Sequence, residues 1–224
     1  AYAFDECKSL KEITIPDSVT EIGSGAFCGC KNLADENGFV IVRDVLYDYF
    51  GNAEKVIIPD SVTKIGEGAF WDCESLKEIT IPDSVTEIGR SAFFCCESLE
   101  KIIIPDSVTE IGGDAFFCCE SLKEITIPDS VTEIGGYAFC ECKSLKEIII
   151  PDSVTEIGVG AFGGCKKLAD ENGFVIVKNV LYNYYGNAKK VIIPNSVKKI
   201  GEWAFSFCES LEKITIPDSV TEIG

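Results

Sequence analysis

Apolar and polar positions recur along the chain in one pattern, which residues 10–23 illustrate. Leu10, Ile13 and Ile15 are followed by a Pro-Asp-Ser turn, and Val19 and Ile22 then precede Gly23. Apolar β-branched residues that alternate with polar ones predict a short strand at residues 13–15. The proline has no N–H to donate, so it ends that strand. The pattern therefore predicts a strand, a turn, a second short strand and a corner at the glycine.

The pattern repeats along the whole sequence, and the dipeptide Ala-Phe marks each copy. We expect Ala-Phe to form a short helical turn, with the Phe in the core. The dipeptides begin at Ala3, Ala26, Ala69, Ala92, Ala115, Ala138, Ala161 and Ala204. Their spacing divides residues 1–224 into six units of 23 residues and two of 43 residues, the latter at residues 26–68 and 161–203.

Units of this length cannot bury their own apolar edge and must stack on their neighbours. We therefore predict an α/β repeat solenoid that is mostly β, with parallel strands, short helical turns and a single array over residues 1–224. The absence of Met, even at position 1, predicts that the chain is either a processed piece or an engineered segment.

The two long units each contain about twenty additional residues, and these allow two interpretations. In the first unit, residues 39–42 and 45–49 have strand character and flank Arg43-Asp44. We interpret each insert as a further short coil, which would give ten coils. The alternative is a β-hairpin flap that projects from the solenoid, although an Asn-Gly turn would favour it more strongly.

The repeated motif L-K-E-I-T-I-P-D-S-V-T-E-I-G-x-x-A-F-x-x-C resembles the BspA-like leucine-rich repeats, also called the Treponema pallidum type. The resemblance covers essentially the whole chain. It implies a right-handed, curved solenoid with its L-x-x-I-x-I strands in a parallel sheet on the concave side. It also implies a surface or secreted protein that adheres to other proteins or cells, and it implies no catalytic or metal-binding residues.

One outward-facing strand position is β-branched in all units, and we define it as the β-branched stripe. Its members are Thr14, Ile57, Thr80, Ile103, Thr126, Ile149, Ile192 and Thr215. We expect Val40 and Val175 of the inserts to join it. Exposed apolar stripes often mark interaction surfaces, and this one is the first choice for a protein-binding face. The alternative is that strand propensity alone selects these residues.

Aromatic residues provide a second candidate surface. Tyrosines crowd the inserts at Tyr47, Tyr49, Tyr182 and Tyr184, and Trp71, Phe94 and Phe117 directly follow core phenylalanines. Tyr and Trp are effective binding anchors, and packing between unequal coils is the alternative role.

Charged residues beside the stripe alternate in sign along the first five units, and the alternation lapses at Lys146-Glu147 and Lys189-Lys190. The pairs read Lys11-Glu12, Glu54-Lys55, Lys77-Glu78, Glu100-Lys101 and Lys123-Glu124. Stacked strands place equivalent residues about 4.8 Å apart, so we expect these residues to form ion pairs between coils. The alternative is a charged ligand-binding surface.

Composition excludes several classes of function. The net charge of −17 argues against nucleic acid as a partner, and no apolar run is long enough to insert into a membrane. The chain has no His, so neither a His general base nor a His metal ligand is available. We predict no enzymatic activity, no metal site and no cofactor.

Eight of the twelve cysteines occupy one repeat position behind the core Phe. We expect this column to be reduced and buried, because stacked parallel side chains fit disulfide geometry poorly. Reduced cysteines would suit an anaerobic exterior or, alternatively, the cytoplasm.

The leading hypothesis is a protein-binding or adhesion module of an extracellular or cell-surface protein, which binds a host, matrix or other surface protein through the concave sheet. The alternatives are a filament subunit that stacks on itself end to end, since no polar capping repeat is visible, and a consensus-type designed repeat array.

Overall fold

The computed structural model describes residues 1–224 and shows a mostly-β solenoid of about eight turns. The predicted architecture of stacked coils with parallel strands is confirmed. In chain order the strands are β1 (Phe39–Val42), β2 (Val45–Tyr49), β3 (Lys55–Ile57), β4 (Lys64–Ile65), β5 (Glu78–Thr80), β6 (Glu87–Ile88), β7 (Lys101–Ile103), β8 (Glu110–Ile111), β9 (Glu124–Thr126), β10 (Glu133–Ile134), β11 (Glu147–Ile149), β12 (Glu156–Ile157), β13 (Phe174–Val177), β14 (Val180–Tyr184), β15 (Lys190–Ile192), β16 (Lys199–Ile200), β17 (Lys213–Thr215) and β18 (Glu222–Ile223).

The three-residue strands of successive coils form one wall of the solenoid. They pair in parallel and in register as β3-β5-β7, β9-β11 and β15-β17. Register is set by the repeat, since Lys55 lies beside Glu78 and Val56 beside Ile79. Because side chains alternate across a strand, the middle residue of each strand points into the core and its neighbours point out.

The two-residue strands form the second wall. They stack as β2-β4-β6-β8-β10-β12 and as β14-β16-β18, with the hairpin strands β1 and β13 on the outer edges. The inward-facing apolar residues of both walls form one large core cluster of 40 buried residues and two smaller clusters of 8 and 5.

Phenylalanine rings form the centre of the core. Phe93 and Phe116 stack with ring centroids 5.2 Å apart, and Phe116 and Phe139 follow at 5.3 Å. The Ala-Phe segments that hold these rings are hydrogen-bonded turns. Helix is confined to two 3-10 turns, at Lys31–Leu33 and Lys166–Leu168. The backbone also links coils here, since the Phe93 N–H donates to the Ala115 carbonyl at 2.8 Å.

The inserts of the long units combine both sequence interpretations, and neither one is fully right. β1 pairs antiparallel with β2, and β13 with β14, so each insert is a β-hairpin rather than an additional coil. The hairpins do not project, because β2 also pairs in parallel with β4 and β14 with β16. The turn residues Lys178 and Asn179 both have positive φ, as a two-residue hairpin turn requires.

The hairpin tyrosines belong to the core, which corrects their predicted place on the surface. Tyr47, Tyr49, Tyr182 and Tyr184 are at most 7% exposed. The rings of Tyr49 and Phe70 lie 5.2 Å apart, and those of Tyr184 and Phe205 lie 5.5 Å apart. Val40 and Val175 are also buried, so the expectation that they extend the β-branched stripe is wrong. The reason is that each hairpin is part of the solenoid wall and packs its inner face on the coils beside it.

Candidate binding surface

The β-branched stripe lies on the outside of the first wall, as predicted. Ile57, Ile103, Ile149 and Ile192 are 74%, 64%, 64% and 73% exposed, respectively. The remaining members are also exposed, namely Thr14, Thr80, Thr126 and Thr215. By contrast, Ile102 and Ile104, which flank Ile103, are 4% and 5% exposed. The stripe is therefore held on a backbone whose inner face is fixed by the core.

Ion pairs between coils flank the stripe. Lys55 and Glu78 are 2.6 Å apart, as are Lys123 and Glu100. The hydrogen bond from Lys55 lowers the pKa of Glu78, and that from Lys123 lowers the pKa of Glu100. These pairs are solvent-exposed and hold neighbouring strands in order, each with a small stabilising effect.

A second apolar surface lies on the turn that carries the core phenylalanines. Trp71 stacks on Phe94 with centroids 4.3 Å apart, and Phe94 stacks on Phe117 at 4.8 Å. Trp71 is 56% exposed, whereas Phe94 and Phe117 are half-buried. Much of this ladder therefore packs against itself, and its exposed part is the face of Trp71.

The cysteines are all free thiols. Five of the eight in the repeated column are buried, whereas Cys73 and Cys208 are half-buried and Cys7 is exposed. The Cys96 thiol donates a hydrogen bond to the Phe70 carbonyl at 3.0 Å, and Cys119 donates in the same way to Phe93 at 3.2 Å. Burial raises the pKa of Cys119 and Cys142. These thiols pack and hydrogen-bond as small core side chains.

The comparisons with known proteins agree with this architecture. The family model described as "BspA type Leucine rich repeat region" matches residues 1–37, 40–169 and 175–224, in six copies. The chain belongs to the BspA-type leucine-rich repeat family. Leucine-rich repeat proteins generally mediate protein interactions and are generally non-enzymatic binding scaffolds.

Two solved structures are similar in both sequence and fold. The T. pallidum leucine-rich repeat protein is 32% identical, with a TM-score of 0.59 over 80% of this chain and 77% of that one. A leucine-rich cell surface protein from Faecalibacterium prausnitzii is 29% identical, with a TM-score of 0.53 over 85% of this chain and 72% of that one.

The pneumococcal vaccine antigen PcpA shares the fold, with 19% identity and a TM-score of 0.53 over 85% of this chain and 65% of that one. No curated protein matches the sequence. The two three-residue 3-10 turns are the helical segments of the fold, and neither has the length or hydrophobicity of a membrane-spanning helix.

Proposed function

We propose that the chain is a non-enzymatic protein-binding module of an extracellular or cell-surface protein, which adheres to a host, matrix or other surface protein through the β-branched stripe. The family supports an interaction role, and the F. prausnitzii relative is described as a cell surface protein. The observation that carries the proposal is the exposure of Ile57, Ile103, Ile149 and Ile192 at one strand position.

Strand propensity does not require isoleucine at these four sites. Thr80 and Thr126 occupy the same position in strands of the same wall, and threonine is equally suited to a strand. Full burial of one isoleucine side chain against a partner contributes about 1.5–3 kcal/mol. Four such residues on a rigid wall therefore form an apolar contact strip, with ion pairs on its flank that can complement a polar rim.

The test replaces all four isoleucines with threonine, the residue that the chain itself places at equivalent sites. Binding to immobilised extracellular-matrix proteins and to host cells is measured by surface plasmon resonance and by cell adhesion. We expect at least about a tenfold loss of affinity with unchanged thermal unfolding.

The matched control is Trp71→Ser, which removes an exposed aromatic from the other apolar surface. We expect this control to bind as the parent does. Loss of binding in Trp71→Ser, together with full binding by the four-threonine variant, would place the interface on the aromatic ladder and refute the proposal.

A second candidate function is a structural array that stacks head to tail, and the register of the repeat favours it. When a second copy follows residue 224 in phase, Glu212 faces Lys11 and Lys213 faces Glu12, so both ladders keep opposite charges. The same faces would accept a further repeat of a longer chain. Sedimentation of residues 1–224 against concentration tests self-stacking. We expect growth that the double variant Lys11→Glu, Glu12→Lys abolishes, and a monomer at all concentrations would refute it.

A further inference from the structure

The two long units differ systematically in charge. Residues 26–68 and 161–203 match at 33 of 43 positions. Six of the differences change the formal charge, and each makes the second unit more positive. At these equivalent positions the first unit has Asn32, Asp44, Asp48, Glu54, Asp60 and Thr63, and the second unit has Lys167, Asn179, Asn183, Lys189, Asn195 and Lys198, respectively.

The result is a local reversal of charge in a strongly acidic protein. The first unit has four basic and seven acidic residues, whereas the second has seven basic and three acidic residues. The net charge of the whole chain is −17. Because the Debye length is about 8 Å at physiological ionic strength, a ligand at the second unit senses mainly the lysines nearest to it.

Several of these lysines are exposed and lack a carboxylate partner. Lys189 pairs with Glu212 at 2.6 Å and Lys178 with Asp152 at 3.5 Å. Lys167, Lys190 and Lys198 are exposed and form no ion pair. We define the cationic band as Lys146, Lys167, Lys178, Lys190 and Lys198, with Lys146 contributed by the preceding coil.

A groove of about 420 Å³ opens beside the band, between β11 and the second hairpin. Most of its lining is apolar, and its charged lining residues are Lys146, Glu147 and Lys178, which carry a net positive charge. Lys198 lies close to the groove, since its N–H donates to the Asn179 carbonyl at 2.8 Å, next to Lys178. The apolar lining consists of Ile148, Ile150, Leu168, Ile176 and Val177.

The first wall is interrupted at this groove. β11 pairs with β9 alone, and β15 pairs with β17 alone. In a parallel ladder the N–H and C=O of alternate residues point to opposite neighbours. The backbone groups of Ile148 therefore face the groove without a strand partner, and an open edge of this kind is a template for another strand.

We infer that the groove and the cationic band bind an extended acidic segment of a partner protein, which adds as a strand to the open edge of β11. The apolar lining takes every second side chain of the segment, and the lysines bind its carboxylates. The backbone edge favours a peptide over other polyanions, because only a peptide offers matching N–H and C=O groups. This site deepens the proposed function by naming the chemistry of the partner, and it rests on the chain being a protein-binding module.

The test uses a short fluorescein-labelled peptide of alternating Glu and Val. A peptide of alternating Lys and Val, which has the opposite charge, is the control. The variant Lys167→Asn, Asn179→Asp, Lys198→Thr gives the second unit the residues that the first unit has at equivalent positions. In the first unit, the Thr63 hydroxyl donates to the Asp44 carboxylate at 2.7 Å, so the introduced pair has a folded precedent. By fluorescence anisotropy we expect at least about a tenfold weaker binding of the Glu-Val peptide, and weaker binding as salt increases.

The mirror variant Asn32→Lys, Asp44→Asn, Thr63→Lys alters the first unit by the same number of charges. We expect it to bind the Glu-Val peptide at least as tightly as the parent. Unchanged affinity in the second-unit variant, equal binding of the Lys-Val peptide, or equal loss in both variants would overturn the inference. Heparin that displaces the peptide as well as unlabelled Glu-Val does would show recognition of charge alone and would also overturn it.

The stripe variant separates this inference from the proposed function. With its four isoleucines replaced, the chain is expected to bind the Glu-Val peptide within twofold of the parent, because the groove residues are intact. A chain that binds the peptide but loses no host binding in the stripe variant would refute the stripe and leave the groove. A chain that binds host protein through the stripe but ignores the peptide would refute the groove.

Discussion

Tyr49 lies against Phe70 with ring centroids 5.2 Å apart, and within the hairpin it takes the place that a phenylalanine takes in every 23-residue unit. The column of core rings thus continues through a segment that lacks the Ala-Phe marker. Tyr184 repeats this arrangement on Phe205 at 5.5 Å. Each hairpin therefore contributes an aromatic ring to the packed core of the solenoid.

Replacement of Tyr49 by alanine should destabilise the protein strongly. Loss of a buried aromatic ring leaves a cavity between coils and costs about 3–5 kcal/mol in the free energy of unfolding. Denaturant unfolding checks this, and Tyr184→Ala should behave alike. Phe207→Ala is the control, because Phe207 is 95% exposed and its loss should change the free energy by less than about 0.5 kcal/mol. A Tyr49→Ala effect as small as that of the control would contradict the core position.

Adjacent glycines in one coil should tolerate alanine differently. A Cβ on Gly135 would clash with the Gly113 backbone nitrogen, whereas one on Gly136 would lie 3.3 Å from the Val159 carbonyl oxygen. Backbone of the neighbouring coil cannot move aside as a side chain can. We expect Gly135→Ala to lower the unfolding free energy by about 2–3 kcal/mol and Gly136→Ala to have a much smaller effect. Equal melting temperatures for the two variants would contradict the close approach of the coils.

The exposed ion pairs should be visible in the titration of the carboxylates. Lys55 lowers the pKa of Glu78, so this group contributes stability above the pKa of the unfolded chain and loses it as pH falls through the lower folded pKa. Carboxyl NMR titration of Lys55→Gln should show a higher pKa for Glu78. The pKa of Glu100 should not change, because Lys123 is what lowers it. High salt should weaken both shifts. If the pKa values of Glu78 and Glu100 both rose in Lys55→Gln, the lowered pKa values would not be due to the two local ion pairs.

Thiol reactivity should follow the burial of the cysteine columns. Iodoacetamide labelling of native protein, read by mass spectrometry, should modify exposed Cys7 first and spare Cys119 until unfolding. Burial raises the pKa of half-buried Cys118 to about 11. Below that pKa its labelling rate should rise about tenfold per pH unit, since the thiolate is the nucleophile. Labelling of Cys119 as fast as Cys7 in native protein would contradict a packed core.

Sequence periodicity determined the solenoid, its register and most of its core. Core residues such as Phe93 recur at a fixed spacing. Stacking is the only arrangement in which each unit buries its apolar edge against the equivalent edge of the next unit. The same logic located the exposed stripe, because the alternation of side chains across a strand fixes which face Ile103 presents. It also predicted the ion pairs between coils, since in-register strands place Lys55 beside Glu78.

Only the tertiary structure decided how the inserts pair and where their side chains point. Residues 39–49 have the same strand character in a coil and in a hairpin, and no Asn-Gly turn marks the difference. The antiparallel pairing of β1 with β2 places Arg43 at positive φ, and the parallel pairing of β2 with β4 keeps the hairpin in the wall, where Tyr47 and Tyr49 are buried. The groove beside β11 was equally invisible to the repeat, because it arises where the second hairpin separates β11 from β15 in one wall and β12 from β14 in the other. Such contacts depend on neighbouring coils in three dimensions, and the pattern within one unit does not encode them.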